Sequence, residues 1–155
     1  MRILVVWDQP LQLELLQVYL GLGDHEVSWA DTPEELLALA EAQSWDIVLM
    51  PITLPDVERG FQTFTQLRSL RPDMPVVGVC EPQEVFRIVR FMTNGMSAYM
   101  IRDTNSDYLC MLLSVLEATV EAAQAAREQE IVKRLREEID AVRKLQETMI
   151  PPLID

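Results

Sequence analysis

The side chains from which chemistry could be built fall at the ends of short apolar runs. Asp8 follows ILVVW, Pro51 follows DIVLM, Cys80 closes PVVGVC and Arg102 closes SAYMIR, with Trp7 beside Asp8. A carboxylate and a guanidinium suit an ion pair, and a thiol is a nucleophile only where its surroundings favour the thiolate. Proline contributes no nucleophile and no metal-binding oxygen. His25 is the only histidine, and Cys80 and Cys110 are too few and too far apart for a disulfide framework or a metal motif. The expectation is therefore no catalytic residue, no metal and no cofactor, with both cysteines acting as small buried hydrophobes.

The elements that must position these residues are legible as apolar runs of four to six residues alternating with helical patterns, the mark of a parallel sheet covered on both faces. Ile3 to Val6 reads as the first strand and Leu11 to Leu20 as a helix with Leu13, Leu16 and Leu20 inward, closed by LGLGD. His25 to Ala30 is the second strand. Asp31 or Thr32 caps the helix over TPEELLALAEAQ, with Pro33 in its first turn and Glu34 and Glu35 at its positive end. Asp46 to Met50 is the third strand, and Phe61 to Leu70 a helix ended by Arg71 and Pro72. Pro75 to Cys80 is the fourth strand, followed by a helix across VFRIVRFMTNG that ends at Asn94 and Gly95, a pair suited to a left-handed cap. Ser97 to Arg102 is the fifth. Right-handed crossovers on this series predict an α/β fold, a flavodoxin-like, doubly wound, five-stranded parallel sheet of order 2-1-3-4-5. Ligands then sit beyond the carboxyl ends of the strands, at Trp7, Asp8, Gln9, Pro51, Cys80, Glu81, Arg102 and Asp103.

ILVVWDQPLQLELL, DIVLMPITLP, PVVGVCE and GMSAYMIRD resemble the successive strand ends of response-regulator receiver domains over about residues 1 to 120. A typical receiver has two acidic residues after its first strand, a phosphorylatable aspartate ending the third, Thr or Ser ending the fourth, and Lys-Pro after the fifth. Carboxylates there hold magnesium, while the hydroxyl and ammonium groups bind phosphoryl oxygens. Matched residue by residue, this chain keeps Asp8 but has Trp7 beside it and Pro51 at the phosphoacceptor position. Cys80 replaces the hydroxyl residue, Arg102 the lysine and Asp103 the proline. The resemblance thus implies a degenerate phosphorylation pocket. Pro55 keeps the family's spacing, but Gly60 comes one residue late, so the third loop carries an insertion. Tyr99 matches the aromatic position that many receivers use as a conformational reporter. Read from the residues alone, Asp8 is either a helix cap or the partner of Arg102. Trp7, Trp29, Trp45, Met92, Met96, Met100 and Tyr99 are packing residues, with Trp7 also placed to cap the pocket.

Beyond the receiver-like part (1–120), residues 121–155 form a helical extension. The pattern starts near Ser106 and meets no Pro or Gly before Pro151, a span that reaches about 65 Å as one helix. Val132, Leu135, Ile139, Val142 and Met149 follow three- and four-residue spacing, with Leu145 or Gln146 between the last two, and predict a parallel coiled-coil homodimer. AVRKLQETMIPPLI is similar to the segment that precedes metal-dependent serine/threonine phosphatase domains of the sigma-factor-regulator type. That resemblance implies an output domain outside these residues.

A net charge of −12 argues against nucleic acid as a partner. With no run of 18 apolar residues and no signal-peptide pattern, no membrane partner and a cytoplasmic location are expected. Three functions compete: a phosphorylation-independent pseudo-receiver in two-component signal transduction or a phosphorelay, which dimerises and relays a protein partner's binding; a small-molecule sensor using Asp8, Cys80 and Arg102; and a purely structural dimeriser.

Overall fold

The computed structural model describes residues 1–103 and 107–149, with the side chain of Met149 left out. It divides into two compact units, Met1–Val120 and Glu121–Asp155. The first unit alternates strand and helix: β1 Arg2–Val6, α1 Pro10–Leu20, β2 Glu26–Ala30, α2 Pro33–Ala42, β3 Ile47–Pro51, α3 Val57–Leu70, β4 Val76–Cys80, a 3-10 turn Pro82–Arg87, α4 Ile88–Thr93, β5 Ala98–Ile101, and α5 starting at Tyr108. All strand pairs are parallel and the order is β2-β1-β3-β4-β5. The expected flavodoxin-like topology is the observed one.

The central strands are buried on both sides, which is why they read as unbroken apolar runs. Leu4, Val6, Val48, Met50, Val76 and Cys80 join Leu36, Phe64, Leu67 and Phe91 of α2, α3 and α4 on one face of the sheet. Ile3, Val5, Ile47, Leu49, Val77 and Val79 join Leu16 and Leu20 of α1 and Leu109, Leu112, Leu116 and Val120 of α5 on the other. Phe61 and Phe91 add an edge-to-face contact at 5.3 Å.

Several boundaries and environments differ from the sequence reading. Helix α3 starts a turn early because Asp56 caps it, accepting from Arg59 N–H at 2.8 Å. Its Gly60 touches the backbone after β3: an added Cβ would lie 1.9 Å from the Ile52 carbonyl oxygen. The fourth helix opens as a 3-10 turn, since Pro82 and the Glu81–Glu84 pair set a tight start. Thr32 is the cap of α2, accepting from Glu35 N–H at 3.1 Å, and Gly95 ends α4 with φ +104°. Cys110 is exposed, on the outer side of α5 with its thiol 3.1 Å from the Tyr19 hydroxyl; only Cys80 is a buried cysteine. Met92 is exposed as well, while Met96 is buried. Trp45 is a packing residue whose indole donates to the Leu39 carbonyl at 2.9 Å.

Helix α5 spans Tyr108–Met149 without interruption, and the expected start at Ser106 and the prolines at 151 and 152 lie outside the described residues. By length and composition alone, an 18-residue window in this helix is apolar enough to cross a membrane. Within it Leu109, Leu112 and Leu116 pack on the sheet, while Met111 is exposed. In the second unit, Val132, Leu135, Ile139 and Val142 are all exposed, as are Ile131 and Leu145.

Candidate functional site

The carboxyl ends of β1, β4 and β5 converge on one guanidinium. Strand β5 stops at Ile101, and the Arg102 N–H donates to the Cys80 carbonyl at 2.7 Å, which fixes the root of the arginine beside the end of β4. From there the side chain runs inward and is only 5% exposed. Its Nη1 donates to Asp8 Oδ1 at 2.7 Å and its Nη2 to Asp8 Oδ2 at 3.4 Å. On the other side Nε lies 2.9 Å and Nη2 2.8 Å from Glu81 Oε1. Two carboxylates thus bracket one planar fork, a geometry that an ammonium could not fill.

Burial alone would lower the Arg102 pKa, but the hydrogen bonds and charges of Asp8 and Glu81 outweigh it and the net shift is upward. The arginine is a permanent cation. Its Cζ also lies 5.2 Å from the centroid of the Trp7 ring, within cation–π range. The Trp7 Nε1 is buried without a hydrogen-bond partner among the described residues. Trp7 therefore contributes a ring face, where a typical receiver has a carboxylate.

Asp8 does not cap α1. The cap position belongs to Gln9, which makes no side-chain cap bond and instead donates from Nε2 to Glu81 Oε1 at 3.3 Å. Glu81 is the residue that sequence reasoning placed at the strand end without giving it a role. The signal was present: a buried guanidinium carries five donors, and an acidic residue one position past β4 is placed to accept from it. Glu81 N–H in turn donates to Glu84 at 3.2 Å, and Glu84 accepts from the Thr53 hydroxyl, tying the loop after β3 to the same network.

Pro51 is the buried last residue of β3, paired in register with Val79. Ile52 N–H donates to the Val79 carbonyl at 2.9 Å, so strand alternation turns the Pro51 nitrogen toward β1. The β1–β3 register ends two residues earlier, at Val5 and Leu49, and a proline at 51 has no N–H with which to continue that ladder. Cys80 packs in the core beside the α2–α4 helices. Burial, with Glu84 and Glu81 adding and Arg102 opposing, pushes its thiol up to about 11, the reverse of what a nucleophile needs. Tyr108 donates to Gln12 at the top of α1. Its own hydroxyl is pushed up to about 12 by burial, against the opposing Arg102 charge and with Glu81, Asp103 and Asp8 adding. Tyr99 is 40% exposed on β5 and so is not interior packing.

A magnesium ion does not fit these residues. The one carboxylate kept from the acidic pair already neutralises a cation in contact with it, the neighbouring position is an indole, and position 51 has no side-chain oxygen. Among the described residues no cluster of three or more His, Cys, Asp or Glu is arranged to hold a metal.

This fold and this set of strand ends define a receiver. The family model for the response regulator receiver domain matches residues 3–114, and the chain belongs to that family. It is 27% identical over 123 residues to the transcriptional regulatory protein KdpE of Staphylococcus aureus, a match covering 79% of this chain and 52% of that one. To the alkaline phosphatase synthesis transcriptional regulatory protein PhoP of Bacillus subtilis it is 30% identical over 101 residues, covering 65% and 42%. The chain spans about half or less of the length of these relatives. Among solved structures, a CheY-like receiver from Methanospirillum hungatei superposes with a TM-score of 0.70 at 27% identity, covering 81% of this chain and 97% of that one. NtrX from Brucella abortus in complex with ATP superposes with 0.71 at 22% identity, covering 91% and 34%, a likeness of fold alone.

Proposed function

We propose that this receiver works without phosphorylation, as a pseudo-receiver that binds a protein partner and relays that binding through a dimer of its C-terminal helix. The observation that carries the reading is the Arg102 guanidinium, buried between Asp8 and Glu81. It takes the space between strand ends where magnesium and a phosphoryl group would have to meet. Pro51 removes the acceptor in addition. The receiver is thereby held in one state by its own side chains, and the switching input must come from a partner.

A surface for such a partner is available on α1. Leu11, Leu15, Val18 and, just past the helix, Leu22 are exposed at spacings of four, three and four, the pattern of a helix-binding stripe. The exposed seam on α5 supports the dimer, because a solvated single helix gains little stability without packing. The linker similarity of residues 141–152 points to a serine/threonine phosphatase as the output domain, in the cytoplasm. This reading assigns no catalytic step to the residues described. Incubation with acetyl phosphate and magnesium followed by intact-mass spectrometry tests it: an unmodified mass supports the proposal, and a phosphorylated aspartate, for example at Asp8 or Asp56, refutes it.

A further inference from the structure

The order of side chains on the C-terminal helix specifies how a second copy meets it, an argument that rests on the dimer proposed above. Its seam gives Val132 and Ile139 heptad position a, and Leu135 and Val142 position d, with Gln146 and Met149 continuing the register. Glu138 then falls at g, and Arg136 and Arg143 at e. In a parallel pair each g residue faces the partner's e residue of the following heptad, so Glu138 meets the partner's Arg143 at both edges of the seam. An antiparallel pair would instead set e against e and g against g, arginine against arginine and glutamate against glutamate. Charge complementarity selects a second copy, parallel and in register, as the occupant of this face.

Running the same register back toward Glu121 changes its character. Position a holds Ala125, and position d holds Glu128 and Glu121, all exposed. In a parallel, in-register pair each d residue faces its own copy, so both glutamates meet a like charge. The flanking e and g positions are Ala122, Gln124 and Gln129, none of them a cation, while Arg127 and Glu130 fall at c and f, away from the seam. Alanine supplies little apolar area to offset the repulsion.

We propose that the paired helices are closed from Ile131 onward and held apart between Glu121 and Glu130 by facing carboxylates. The stretch next to the receiver unit is thus a charge-controlled gap, and a partner or receiver movement that closes it extends the coil toward residue 121.

Spin labels on the outward f positions, Ala123→Cys and Lys144→Cys one at a time, in the full chain with exposed Cys110→Ala and buried Cys80 retained, read this by double electron–electron resonance. The expected result is a narrow interspin distribution at 144 and a longer, broader one at 123, with Glu121→Leu/Glu128→Leu narrowing the latter to match. Equal narrow distributions at both positions in the parent overturn the gap. So does a distribution at 123 that stays broad in the double variant. Loss of dipolar coupling at 144 means instead that the dimer itself is wrong.

Discussion

Arg102 and Asp8 are joined by a 2.7 Å ion pair although they follow β5 and β1, strands that β3 and β4 separate in the sheet. The contact therefore spans the very strand ends where receiver phosphorylation would occur, and Glu81 anchors it midway.

Removing the arginine should leave two carboxylates facing each other without a cation. Arg102→Ala is expected to destabilise the domain by about 2–3 kcal/mol, below the figure for a fully buried pair because the Asp8 and Glu81 side chains keep 30% and 28% exposure. Arg102→Lys should recover only part of the loss, since an ammonium cannot reach both acceptors. Urea unfolding of the three proteins measures it, and an alanine variant as stable as the parent would show the ion pair to be incidental.

Alkaline pH should reveal the buried thiol. Cys80 has an ordinary pKa of 9.0 and is pushed up to about 11 in the fold, chiefly by burial. Its stabilising contribution is whole below pH 9.0 and is lost as pH climbs to about 11, a total of about 2–3 kcal/mol. Tyr108, raised from 10.0 to about 12, adds a second loss just above it. Stability profiles from pH 8 to about 11 should be flatter for Cys80→Ala than for the parent in the lower part of this range. Coincident profiles would remove the thiol from the account. At neutral pH a thiol reagent should label exposed Cys110 and spare Cys80 in the native protein.

Restoring the acceptor alone should not restore the chemistry. Pro51→Asp is expected to stay unlabelled by acetyl phosphate, because the Arg102 cation occupies Asp8 and the indole of Trp7 offers no second acidic ligand. Robust labelling of the single variant, read by intact mass, would show that the arginine moves aside readily.

The dimer should depend on the helix seam. Leu135→Glu or Ile139→Glu places a charge where apolar surface would be buried at about 25 cal/mol per Å² and should weaken association by about 3 kcal/mol. Sedimentation equilibrium of both variants and of a truncation after Ala122 tests this. Variants that remain dimeric would move the interface to the receiver unit, and a monomeric parent would remove the dimer.

Much of this was legible in the residues. DIVLM and PVVGVC announce strands buried on both faces, and the sheet order follows from their number and the handedness of the crossovers. The pocket was legible as a set of substitutions, because strand ends fix where Asp8, Pro51, Cys80 and Arg102 must stand. What sequence could not supply was direction. Cys80 turns into the core, and Cys110 and Met92 lie on outer helix faces where a one-residue change of phase decides burial. Glu81 gained its role only when the length of Arg102 was laid across β4. Helix α3 began a turn early because an aspartate cap outweighed the weak apolar pattern before Phe61.

The claim that this receiver does not use phosphorylation is tested most directly by amide NMR of the parent protein titrated with magnesium and beryllofluoride. The expected spectra superpose throughout, with the resonances of Asp8, Ile52, Glu81 and Arg102 unmoved. Saturable shifts at these residues that require both magnesium and beryllofluoride would contradict it.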